Sequence, residues 1–158
     1  MDKQTHPFST RAQFEQQVQA CVSRARLSLQ MFDPDFAIWN LGSSSTDTEL
    51  RRFLSGGGHL QLVAHSNAHL ERNAPRFLRL LNDYGHAIAC RITHQSIKQL
   101  TDSFCIGDSR DSVRRFHADH FRGEAIFDSP PDTKPSSDRF ETIWHESAPG
   151  LHATTTGL

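Results

Sequence analysis

The sequence predicts an α/β fold, a mixed, mostly parallel sheet flanked by helices, and three adjoining stretches carry that reading. His59 to His65 is a short run with Leu60, Leu62 and Ala64 on one face and Val63 on the other, apolar on both sides as a buried parallel strand is. A helical stretch follows, in which Asn73 can cap, Pro75 suits the first turn, and Phe77, Leu78, Leu81 and Tyr84 recur at helical spacing before Gly85. Ala87 to Ile92 then resumes the strand pattern, with Ile88, Cys90 and Ile92 alternating. Strand, helix and strand in that order connect as a right-handed βαβ unit, which needs a sheet with helices on its faces.

The remaining elements follow in chain order. Residues 1–10 read as a lead-in. Thr10 with Gln13 forms a capping box, and Phe14, Val18, Cys21, Val22 and Ala25 fall on one stripe of a first helix. Arg26 to Phe32 is a strand that stops at Asp33-Pro34, because proline holds its predecessor extended and cannot donate to a ladder. A loop with Asp35, Phe36, Ile38 and Trp39 leads to a serine run, and Thr46 with Glu49 forms a second capping box before Leu50, Phe53 and Leu54. Beyond the βαβ unit, Ser103 to Gly107 reads as a strand ended by Asp108, and Asp111 to Phe116 and Glu124 to Phe127 as two shorter strands of antiparallel character. Pro130, Pro131 and Pro135 mark a loop, after which Ser137 or Asp138 caps a last helix facing Phe140, Ile143 and Trp144 inward. One domain over residues 11–149 with a flexible tail at 150–158 is the expected organisation.

A net charge of −1 on 158 residues gives no global field to recruit nucleic acid or an anionic membrane, so neither partner is expected. No apolar run approaches the ~20 residues of a membrane span, and the first residues lack a signal-peptide core, so a cytoplasmic protein is expected. Cys21, Cys90 and Cys105 are widely spaced in apolar patterns, which suits reduced core residues rather than a metal site or a disulfide frame.

The order of elements and the terminal helix FETIWHESAP resemble one half of a phospholipase D-like fold. In that superfamily a helix of the Glu49 to Leu54 type runs into glycine and a strand of the HLQLVAH kind, and the terminal helix closes on F-x-x-x-W-x-x-S, here Phe140, Trp144 and Ser147. The chain is also similar to uncharacterised bacterial domains of this fold. The resemblance implies a catalytic signature H-x-K-x-x-x-x-D, with histidine as nucleophile on phosphorus and lysine clamping the phosphate. No histidine here has a lysine two positions later, and with lysine only at Lys3, Lys98 and Lys134 the check is exhaustive. The nearest remnant is His94, Lys98 and Asp102. The implied protein is therefore a non-catalytic ligand-binding or regulatory domain. The alternative is a diverged phosphodiesterase or nuclease in which His94 or His117 attacks and Arg115 replaces the lysine. Since family enzymes with one motif per chain pair two halves, the resemblance also implies a homodimer, or else a module for a partner enzyme.

In open parallel sheets ligands gather beyond the carboxyl ends of strands. That rule collects Asp33, Asp35, His65, Asn67, His94 and Asp108, with Arg114 or Arg115 available for phosphate. Asp and Asn also end strands simply to make turns. His117 and His120 in HADH have the spacing of helical metal ligands but lack a third, so no metal is expected. Gly56-Gly57-Gly58 follows a helix instead of preceding one and no G-K-[ST] or G-x-S-x-G is present, so no cofactor is expected either.

Overall fold

The computed structural model describes residues 3–153. The lead-in contains a strand, β1 (Gln4–Phe8). Its side chains are mostly exposed and Pro7 interrupts its donors, as an edge strand permits, so it carries no apolar signature. Helix α1 (Arg11–Arg24) opens on the predicted capping box, with Gln13 N–H donating to Thr10 Oγ1 at 3.1 Å and Thr10 N–H to Gln13 Oε1 at 3.2 Å. Phe14, Val18, Cys21 and Val22 are its buried face. Strand β2 (Ser28–Asp33) leads to helix α2 (Ser44–Ser55), which is capped by Ser43 instead of Thr46. The run of serines supplies an acceptor three residues earlier, and Thr46 becomes the buried donor to that cap, its N–H 3.2 Å from Ser43 Oγ.

Strand β3 (His59–Ala64) begins directly after Gly58, where any Cβ would lie 2.5 Å from the Phe53 ring, so only glycine lets α2 turn back onto the sheet. The next helix is in two pieces, α3 (Ala68–Asn73) and α4 (Pro75–Asp83). Ala74, held out of the helical region by the proline after it, divides them, and the Asn73 side chain faces His69 instead of capping. Strand β4 (Ile88–Thr93) is followed by a 3-10 turn at Gln95–Ile97, then by β5 (Ser103–Gly107), β6 (Asp111–Arg115) and β7 (Gly123–Phe127). Helix α5 runs from Pro130 to His145 with Ser129 as its cap, so the expected proline loop is the first turns of a helix. Pro130 and Pro131 occupy positions whose N–H groups have no helical acceptor, which is where proline costs least. Strand β8 (Ser147–Pro149) was not expected; it pairs with β4, and Gly150 N–H still donates to Cys90 O at 2.9 Å. The segment continues to Ala153, which lies so close to Gly85 that a Cβ there would meet it at 2.6 Å. The expected tail is thus strapped to the sheet edge as far as residue 153; residues 154–158 and the first two residues of the lead-in lie outside the described residues.

The strand order is β1-β7-β6-β5-β2-β3-β4-β8. The sheet is mixed and flanked by helices, as the sequence predicts, but it is not mostly parallel: only β2–β3 and β3–β4 are parallel, and the other described pairings are antiparallel, chiefly because the second half of the chain enters as a meander of β5, β6 and β7. Helices cover both faces. Leu29, Met31, Leu60 and Leu62 meet Phe14, Leu50 and Phe77 on one side, while Phe32, Val63, Phe104 and Ile106 meet Phe140, Ile143 and Trp144 of α5 on the other. The period-two alternation of β2 supplies both cores, and each such side chain contributes about 1.5–3 kcal/mol by burial. Cys21, Cys90 and Cys105 are buried free thiols, as expected, with Cys21 and Cys105 Sγ 3.7 Å apart across α1 and β5.

Candidate functional site

The carboxyl ends of β2, β3 and β4, the start of β5 and the end of β6 form one polar rim, because β5 runs antiparallel to β2 and sets Phe104 opposite Phe32. Asp33 lies at its centre, 2% exposed. Its Oδ2 accepts the N–H groups of Asp35 at 3.0 Å and Phe36 at 2.7 Å, and its Oδ1 accepts the Ser103 hydroxyl. Burial pushes the carboxyl up, and these donors oppose the shift without cancelling it. The turn they close holds Phe36 at φ 61, which a bulky residue adopts rarely, with its ring 4.9 Å from that of Trp39. Asp35 is exposed beside this turn.

His65, after β3, is bonded through both nitrogens. Nε2 donates to Leu100 O at 2.7 Å, and Nδ1 lies 2.6 Å from Thr93 Oγ1. Lys98 Nζ donates to the His65 carbonyl at 3.0 Å. His94 is exposed, anchored by its N–H to Glu146 O at 2.9 Å, and Asp102 is buried in a bidentate pair with Arg139 at 2.6 and 3.1 Å. The side chains of Lys98 and Asp102 therefore serve separate partners, and among the described residues His94 bonds through its backbone alone. Asn67 is buried at the start of α3, and its Oδ1 has no hydrogen-bond partner.

Asp108 does not belong to the rim. Placing it there assumed that β5 ends where β2 ends; β5 is antiparallel to β2, so Asp108 lies at the opposite end of the strands, beside the start of β2. Its carboxylate accepts the N–H groups of Arg26 at 3.1 Å, Leu27 at 2.7 Å and Ser28 at 3.0 Å, clamping the junction of α1 and β2. Arg115 is at the rim but 6% exposed, and it is spent on structure. Its Nε donates to His120 O at 2.7 Å, Nη2 donates to Ala118 O, and the guanidinium stands 4.7 Å from the Phe121 ring centroid. Burial lowers its pKa, against the pull of Asp33, Asp35 and Asp119. His117 and His120 have ring centroids 6.0 Å apart in the loop that Arg115 holds, with His117 Nδ1 3.4 Å from the Asp119 carboxylate. Among the described residues no three His, Cys, Asp or Glu side chains gather closely enough to hold a metal ion.

Ser103, Thr93 and Arg139 are rim residues that the carboxyl-end rule missed. Arg139 comes from α5, and no local pattern in the sequence links it to Asp102. Ser103 had a signal: it stands five residues before Asp108, the spacing of lysine to aspartate in the phospholipase D signature.

The sequence matches, over residues 10–152, the family described as a domain of unknown function (DUF7931). The chain belongs to the DUF7931 family. No curated protein matches this DUF7931 chain. Solved structures do match it in fold. TrmBL2, an archaeal chromatin protein described as showing a novel mode of DNA binding, superposes with a TM-score of 0.70 at 9% identity, over 92% of this chain and 54% of that one. Nuc from Salmonella typhimurium, a phospholipase D family member, gives 0.62 at 11% identity over 94% and 99%. Phosphatidylserine synthase from Haemophilus influenzae gives 0.64 at 9% identity over 95% and 40%. The DUF7931 domain thus has the phospholipase D-like fold, and it spans about half the length of TrmBL2. The TrmBL2 likeness also corrects the expectation that nothing points to nucleic acid. That expectation weighed only net charge, which is blind to the fold. No helix among the described residues is long and apolar enough to cross a membrane.

Proposed function

We propose that this DUF7931 chain is a non-catalytic phospholipase D-like domain that binds nucleic acid at the rim of its sheet. Ser103 carries the first half of the reading. A signature H-x-K-x-x-x-x-D ending at Asp108 puts its lysine at position 103 and its histidine at 101, and the residues there are Ser103 and Thr101. The aspartate is kept because its work is architectural, holding three backbone N–H groups. In place of the lysine a hydroxyl is tied to buried Asp33. No imidazole replaces the missing nucleophile at position 101. His65 has both nitrogens engaged, and His94 is exposed, with its backbone N–H bonded to Glu146 O.

The nucleic-acid half is supported by the TrmBL2 likeness and by Arg114, Arg122, Arg139 and Lys98 around the rim. Contacts of this kind with phosphates are sequence-independent and weaken steeply with salt. The test combines anisotropy of labelled DNA at low and at near-physiological salt with hydrolysis of bis-p-nitrophenyl phosphate and of single-stranded DNA. Salt-sensitive binding with no turnover is expected. Turnover abolished by His94→Ala or His117→Ala would overturn the non-catalytic half, and absence of DNA binding at low salt would overturn the other.

A further inference from the structure

Leu27 and Phe116 are the large hydrophobic side chains left exposed among the described residues, 73% and 46% respectively. They lie at opposite ends of the strands: Leu27 precedes β2, whereas Phe116 follows β6 at the rim. Phe116 is also fixed. Its N–H donates to Arg122 O at 2.9 Å, closing the 116–122 loop at its base, and Arg115 ties the loop from inside through the carbonyls of Ala118 and His120. The Arg114 guanidinium stands 5.5 Å from the Phe116 ring centroid. Phe116 and Arg122 together line a groove of about 460 Å³ that continues past Glu124 to Pro7 and Gln13, where β1 passes into α1. That volume lies within the range of small-ligand clefts, about 300–1,000 Å³.

We propose that Phe116 is a base-stacking platform and that the nucleic acid bound here is single-stranded. The proposal rests on the nucleic-acid reading above and specifies the form of the polymer and where it sits. An exposed ring with the Arg114 guanidinium over one face and Arg122 beside it in the groove offers an unpaired base its other face, while the two cations meet the flanking phosphates. A duplex keeps its base faces stacked on one another and presents only edges, so this ring has nothing to offer it. The acidic groups nearby are Asp102, 3.9 Å from Arg114 but held bidentately by Arg139, Glu124, the cross-strand neighbour of Arg114, and Asp119, which faces His117; among the described residues none of them forms an ion pair with Arg122. Entropy favours it too, since a ring held by a closed loop gives up little freedom on binding.

The full chain is titrated with labelled oligothymidylate and with a duplex of the same length, using wild type, Phe116→Ala, Phe116→Trp and Leu27→Ala. Loss of one stacking contact makes oligothymidylate binding about 5- to 150-fold weaker in Phe116→Ala. Phe116→Trp is expected to retain binding and to report it by quenching of the new indole, and Leu27→Ala to bind as wild type does. Should Phe116→Ala destabilise the loop, the quenching of Phe116→Trp still decides the matter. Undiminished oligothymidylate binding by a folded Phe116→Ala overturns the platform and leaves the nucleic-acid reading standing. Preference for the duplex, unaffected at position 116, overturns the single-stranded assignment. Failure of both polymers to bind removes the reading beneath it as well.

Discussion

Asp108 joins three backbone N–H groups of residues 26–28 through one side chain and sits at φ 53, a left-handed backbone. Alanine there loses the acceptors and adds steric strain, whereas glycine loses only the acceptors. Hydrogen bonds to a charged acceptor contribute about 1.5–3 kcal/mol and the αL penalty is about 1–2 kcal/mol. Asp108→Gly is therefore expected to cost about 2 kcal/mol and Asp108→Ala about 1 kcal/mol more, read from denaturant midpoints at unchanged m. Asp33 makes stability depend on pH. Burial holds its folded pKa above the unfolded value of about 3.9, so its contribution to stability is complete below that value and falls as pH rises through the folded pKa. Asp33→Asn keeps an oxygen for the Asp35 and Phe36 N–H groups and abolishes the titration. Its stability relative to wild type is expected to climb from about pH 4 upward and then level off, a trend that urea midpoints across that range will detect.

At the scale of elements, β5, β6 and β7 explain both what the sequence disclosed and what it concealed. Ser103 to Gly107 was legible because all five residues are buried. The direction of β5 was not, because it is set by residues 94–102, which leave the end of β4 and start β5 at the same rim, and that stretch holds only a 3-10 turn with no strand or helix pattern to announce where it leads. One strand direction decided the site. It moved Asp108 to the far end of the strands and brought Ser103 beside Asp33. Asp33 and His65 were legible from the carboxyl-end rule, since the parallel centre obeys it. Arg139 was not, since its pairing with Asp102 exists only once α5 has packed. The same three strands rest on Gly123, whose Cβ position lies 2.0 Å from Arg114 O and 2.4 Å from the Phe8 ring. The closer obstacle is backbone and cannot rotate away. Gly123→Ala is expected to cost about 3 kcal/mol, toward the upper end of overpacking penalties, and to loosen the 116–122 loop next to it. Hydrogen exchange should show lost protection in β6 and β7 with β2–β4 unchanged.

Across the whole molecule the sheet has two edges, and the chain closes each with one of its ends. β1 covers β7 at one side, and the segment from Ser147 to Ala153 covers β4 at the other. The β1 edge protects itself, with Pro7 breaking its donors and exposed polar residues along it. The β4 edge depends on its cover. Beneath that cover lie Ile88 and Cys90, 7% and 6% exposed, and the Arg91 guanidinium stacked 4.3 Å from the Trp144 ring centroid. A chain ended at Glu146 keeps α5 and its contacts with Phe32 and Phe104, so the domain is expected to fold. It does so with β4 unpaired on one side. An uncovered parallel edge flanked by apolar residues is a template for a second copy, and the truncated chain is expected to self-associate where the full chain at the same concentration does not. Light scattering after size exclusion measures this directly. Adding Ile92→Lys to the truncated chain places a charge in the bared strand and should restore the mass of the monomer; if it does not, association proceeds through some other surface and the strap has a different purpose.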